Sequence, residues 1–126
     1  MKTMIRIEWE KHALKKGEKY AGIITGKDGA PDHHLILLPG EAEGATFAGA
    51  QEFAKLAGGD LPTRREQSLL FANCKEEFQP RWYWSGEQHA TDSDYAWVQH
   101  FNHGFQHLWL KVYGYRARAV RRIPIE

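Results

Sequence analysis

Residues 46–73, TFAGAQEFAKLAGGDLPTRREQSLLFAN, decide how the rest of the chain is read. Thr46 is a good N-cap residue, because its hydroxyl accepts a backbone N–H that the first turn leaves without a partner; Gly58 and Gly59 suit a helix end. Between them Phe47, Ala50, Ala54 and Ala57 fall on one stripe, so the spacing predicts a helix whose small residues allow close packing on a sheet or a second helix. Thr63 with Glu66 three residues on is a capping box, the clearest local signal in the chain, and it opens an apolar run through Leu69, Leu70 and Phe71 that belongs to the core. Continued at four-residue spacing, that helix would align Leu70, Cys74 and Phe78 on one face. Cys74 then reads as a small buried hydrophobe, since no activating group is placed beside it by spacing.

Outward toward the N-terminus, YAGIITGKDGAPDHHLILLPG (residues 20–40) has two apolar runs around an Asp-Gly pair, which supplies the positive backbone dihedrals of a hairpin. Strands are expected near 20–25 and 33–38. His33 and His34 open the second and point to opposite faces, a poor arrangement for one ion. IRIEWE (residues 5–10) alternates apolar and charged residues and is expected to be an edge strand. Toward the C-terminus, RWYWSG (81–86), YAWVQHF (95–101), FQHLWLKV (105–112) and YRARAVRRI (115–123) predict an antiparallel meander with turns at Asn102–Gly104 and near Gly114. The expected fold class is α+β, one domain spanning 1–126, with an N-terminal β-hairpin and two helices packed on an antiparallel sheet.

Composition narrows the chemistry. The chain has 17 Lys and Arg against 16 Asp and Glu, so its net charge of +1 gives no general reason to expect nucleic acid or a membrane surface as partner. Locally, Lys111, Arg116, Arg118, Arg121 and Arg122 form a basic strip. It reads either as a strand face paired with acidic neighbours or as a patch for anionic ligands, with Arg116 and Arg118 as the contacts. A single cysteine rules out an intrachain disulfide, a cysteine-based zinc knuckle and a dithiol redox pair. The charged N-terminus lacks the apolar run of a signal peptide or membrane span, so cytoplasmic synthesis without membrane insertion is expected. Aromatic residues make up 13% of the chain, including five Trp, more than a core of this size needs.

The order of motifs adds a family resemblance over roughly residues 40–123. TFAGAQEFAKLAGGDLPTRREQSLLFAN resembles the helix, Gly-Gly, Leu-Pro-Thr-x-x-Glu and helix segment of the domains related to formylglycine-generating enzyme, which have a C-type-lectin-like fold. YWSG and YRARAVRR are similar to the later Trp-Ser strand and terminal Arg-Val-Arg strand of that group. The best match is the non-catalytic branch, which includes the C-terminal domain of the Legionella collagen-like adhesin and small phage and prophage proteins. The catalytic members rely on a late cysteine pair, and this chain has no cysteine after Cys74. The related iron oxygenases use three histidines partly supplied by a helical bundle, for which this chain is too short. The resemblance therefore implies binding without catalysis or cofactor, to a host protein or surface glycan, with a homo-oligomer as the form that adds avidity. A virion-associated location fits it as well.

YAWVQHFNHGFQHLWLK (residues 95–111) is where that binding is expected. His100, His103 and His107 are the right donors for zinc, nickel or iron, which keeps a small His-dependent metalloenzyme as an alternative, but a hairpin puts His100 on the other arm and no acid is placed to orient the rings. Asp92 and Asp94 alone are weak grounds for calcium. No nucleophile elbow or paired-carboxylate motif stands nearby for acid–base or covalent catalysis. Recognition fits the interleaved rings: His100, His103, Phe105, His107, Trp109 and Tyr113 are the candidate ligand contacts. The resemblance adds that some lectin-like domains are diversified by retroelements that mutate adenines; His100, Asn102, His103, Phe105, His107 and Leu108 are reachable by such changes and Trp109 is not. An intracellular inhibitor of a host enzyme or defence complex, made by a phage, is the other alternative.

Overall fold

The computed structural model describes residues 2–125 and is α+β, with three α-helices and two sheets among the described residues. In chain order the elements are α1 (Lys2–Ala13), β1 (Lys19–Ile24), β2 (His33–Leu37), β3 (Ala42–Ala45), α2 (Phe47–Leu56), α3 (Arg64–Asn73), β4 (Trp82–Gln88), β5 (Tyr95–His100), β6 (Gln106–Leu110), β7 (Tyr115–Ala117) and β8 (Val120–Pro124). No helix among them is long and apolar enough to cross a membrane.

The central helices begin where their caps predict. Thr46 Oγ1 accepts from the Gly49 N–H at 3.2 Å, and Thr63 and Glu66 exchange both bonds of the capping box, at 3.1 and 2.8 Å. α2 ends before Gly58, which takes φ +94°. Phe47, Ala50 and Ala54 are buried as the stripe predicts, whereas Ala57, past the helix end, is exposed. α3 stops at Asn73 and a 3-10 turn, Lys75–Glu77, follows, so Leu70, Cys74 and Phe78 do not ride one continuous helix. Phe78 reaches the core regardless, stacking on Phe101 at 3.9 Å between ring centroids. Cys74 is buried, and desolvation pushes its thiol up to about 11.

β1 and β2 form the N-terminal hairpin, with Asp28 and Gly29 at φ +54° and +84° in its turn, and β8 adds to the far side of β2 to make a three-stranded antiparallel sheet. The second sheet has the order β3-β7-β4-β5-β6. Alternation along β4 drives the layering. Trp84 points into a core under α2, with Phe47, Ala50, Ala54 and Val98; its neighbour Tyr83 points into a second core under α3, with Leu35, Leu37, Leu70 and Phe101. Leu69 and Phe71 pack against that second core half-buried.

Two expectations are corrected, and one strand has no signal in the sequence. IRIEWE lies in α1, not in an edge strand. Six residues of alternation suit a strand only if a sheet edge accepts it, and here Trp9, from the helix, stacks on His34 at 4.2 Å and meets Tyr20 at 5.1 Å. YRARAVRRI is not one strand closing a meander. It breaks at Arg118 and Ala119 into β7, which pairs parallel with β4, and β8, which joins the other sheet. The break is held from inside, where Arg118 donates to the Leu38 carbonyl at 2.9 Å and the Leu38 N–H donates to Ala119 at 2.9 Å. β3, Ala-Glu-Gly-Ala preceded by Glu41, carries no strand signal in the sequence.

Candidate recognition face

Register in the β4–β5–β6 meander sets which rings meet. Trp82 lies opposite His100, Val98 opposite His107 and Ala96 opposite Trp109, so all of these side chains share one face. Toward the middle of the sheet that face is covered by α2. Beyond the helix, Trp82, His100, His107 and Trp109 are left at the surface, His107 and Trp109 exposed and the other two half-buried.

The turn from β5 to β6 completes the row. Gly104 takes φ +81°, and a Cβ there would stand 3.1 Å from the Phe71 ring, so both backbone conformation and space call for glycine. The Gly104 N–H donates to the His100 carbonyl and the His100 N–H to the Phe105 carbonyl, each at 2.8 Å. Phe105 then stacks on His103 (5.6 Å), His103 on His100 (5.7 Å), and His100 and His107 meet the Trp82 ring edge-on at 4.9 and 5.5 Å. A second group follows along β6: Trp109 contacts Tyr113 (6.4 Å) and Tyr115 (6.3 Å), and Tyr115 is anchored against buried Trp84 at 5.3 Å. Phe105 is 60% exposed and Tyr113 47%, at the two ends of this band.

The electrostatics suit an uncharged face. Burial, reinforced by His103 and Arg81, holds the His100 imidazole below its ordinary value. Its Nδ1 accepts from the Asn102 N–H at 3.1 Å, so the neutral ring carries its proton on Nε2. His100 and His103 meet ring to ring, and among the described residues no group of three His, Cys, Asp or Glu side chains is arranged to hold a metal ion. Ser85, in β4, is buried with its hydroxyl donated to the Trp97 carbonyl at 2.8 Å.

The basic strip behaves differently from the rings. Arg116 is bound to Glu41 (2.6 Å) and Glu43 (2.9 Å), and Arg118, 8% exposed, donates to the carbonyls of Leu38 and Glu77. Of the two readings of the strip, the paired strand face is what these contacts describe: both guanidinium groups serve partners within the chain. Arg121 and Arg122 are paired in turn with Glu18 and with Glu66 and Asp60. Two rings escaped the sequence reading. Trp82, in the strand RWYWSG but not among the candidate contacts, is the hub between His100 and His107, and Tyr115 ties Trp109 to the core. The alternation Trp82–Trp84 shows a shared face, but only cross-strand register shows which histidines stand beside it.

No known family model matches the chain, and no curated protein is significantly similar to it.

Proposed function

We propose that this chain is a non-catalytic recognition domain, of the C-type-lectin-like kind found in phage and prophage proteins, that binds a host protein or surface glycan through the ring band. The observation that carries this reading is the unbroken series Phe105–His103–His100–Trp82–His107, continued by Trp109 and Tyr113 on the same side of the sheet. Aromatic and imidazole rings lose little conformational entropy on binding, because few torsions need fixing, and these are further restrained by one another. Their planes supply apolar contact for a sugar ring or an aliphatic side chain, while imidazole and indole edges supply hydrogen bonds. Neutrality at His100 spares the face the desolvation cost of a charge.

Replacing His103, Phe105 and Tyr113 together by Ala tests this reading, since all three are exposed and none supports the core. The parent and the triple variant would be compared on immobilised host-envelope polysaccharide and on immobilised envelope proteins. The expected result is retention of the parent on one of the two surfaces and a loss of affinity of about a hundredfold or more in the variant, as for truncation of a binding hot spot, with an unchanged thermal transition. Equal binding of both chains removes the ring band from the function.

A further inference from the structure

The four sheet edges are not equivalent, and one of them is unguarded. The outer side of β1 is occupied by α3: Asn73 donates to the Ala21 carbonyl at 2.7 Å, Arg65 to Thr25 at 2.8 Å, and the strand is bulged between Tyr20 and Gly22. β8 carries Pro124 and exchanges two bonds with Asp60 at Val120, 2.8 and 2.9 Å. β3 is four residues long, irregular in register, preceded by Glu41 and itself contains Glu43. Such devices are how sheets avoid pairing with other chains. β6, Gln-His-Leu-Trp-Leu, has none of them: its register with β5 runs without a shift and it contains no Pro, Asp, Glu, Lys or Arg.

Its backbone is also correctly oriented to pair. The bonds from Lys111 N–H to Asp94 and from His100 N–H to Phe105 mark the two ends of the β5–β6 ladder. Residues 105, 107 and 109 and the Lys111 N–H therefore turn toward β5, while the Lys111 carbonyl accepts from the Phe47 N–H at 3.0 Å, and Gln106, Leu108 and Leu110 turn their backbone groups outward.

We propose that β6 pairs antiparallel with β6 of a second copy, about a two-fold axis at Leu108. In that register Leu108 faces Leu108 of the other copy and Gln106 faces Leu110, all outward-bonding positions, giving on the order of six backbone hydrogen bonds. The Leu110 carbonyl already accepts from Tyr113 at 3.1 Å and retains a second lone pair. The side chains match too: His107 lies beside Trp109 of the other copy, and no like charges are opposed. The two-fold axis runs perpendicular to the sheet, so the ring bands of both copies lie on the same face, and each copy extends the other's. Pairing consumes the edge, so the assembly closes at two. An extended segment of another protein would use the same backbone groups but would not be selected by this self-complementary register.

The register makes a charge-swap test possible at two exposed positions. One chain carries His107→Glu and Trp109→Glu, a second carries His107→Lys and Trp109→Lys, and both are compared with the parent by sedimentation velocity after their circular dichroism is matched. Paired with itself, each variant opposes like charges; paired with the other, it opposes unlike ones. The expected result is a parent dimer, at least tenfold weaker self-association in each variant, and a dimer restored by mixing the two. A parent that stays monomeric at about 100 μM, where weak complexes of this kind form, overturns the proposal. So do association unaffected by the substitutions, failure of the mixture to restore it, and assemblies larger than two. This inference is independent of the ligand-binding reading. The His103, Phe105 and Tyr113 triple variant leaves residues 106–110 intact, so it dimerises even if the ring band binds nothing.

Discussion

The most demanding residue in the chain is Glu66, 1% exposed and yet ionised. Burial pushes its carboxyl up, but a two-pronged contact from Arg122 (2.7 and 2.7 Å), the Thr63 N–H and His33 Nε2 at 2.7 Å outweigh that and hold it below the usual range. The capping residue of α3 is thus also the counter-ion of β8 and the partner of β2. Removing one member leaves a buried charge without compensation, whereas replacing the set with apolar residues need not be costly. Arg122→Ala is expected to lower the unfolding free energy by about 3–5 kcal/mol in urea titration, and a change below about 1 kcal/mol would show that solvent screens the pair. In the sequence only the capping half of this arrangement is visible, since His33 and Arg122 lie 33 and 56 residues away.

Among the elements, the passage from α2 to α3 combines two glycines with different duties. Gly58 takes φ +94° in open space, while Gly59 brings its Cα against the backbone of Val120, where a Cβ would collide with the carbonyl and stand 2.9 Å from Leu38. Gly58→Ala is expected to cost roughly 1 kcal/mol, the penalty of a left-handed residue, and Gly59→Ala about 3 kcal/mol, because β8 must move away. Equal costs in chemical denaturation would mean that the close approach is not a constraint. The sequence shows two helix-ending glycines and cannot rank them. It likewise shows α2, α3 and the hairpin β1–β2, all specified within a few residues by caps, stripe and turn, but misses the helical N-terminus and the division of residues 115–123 between two sheets. Alternation is a local property, and whether a strand exists depends on an edge to receive it.

At the scale of the whole molecule, histidine burial sets how stability responds to acid. His34, desolvated between Trp9 and Tyr20 and next to His33, and His100, desolvated beside Trp82, both have folded-state values below the ordinary one. As pH falls from about 7 the unfolded chain takes up these protons first, so stability declines between about pH 7 and 5. Glu18, held down by Arg121, and Glu66 add a second loss on the acid side of about pH 4.5, where their unfolded forms protonate. The expected profile of melting temperature against pH has a plateau above 7 and two descending limbs, the upper one flattened by His34→Gln with His100→Gln. A melting temperature that rises on acidification from 7 to 5 contradicts the assigned environments. The candidate site was legible in part for the same reason as the fold. The choice of His100, His103, Phe105, His107, Trp109 and Tyr113 follows from composition and alternation, properties of neighbouring residues, and the structure places these rings along one side of the sheet. The hub at Trp82, the internal use of Arg116 and Arg118, and the open edge of β6 depend on register and on which helix covers which face. The sequence by itself determined α2, α3, the hairpin and the supply of rings, because caps, turns and side-chain periods act over a few residues; tertiary structure alone decided the fate of the N-terminal segment, which rings touch and which charges are spent, because those contacts join positions many residues apart.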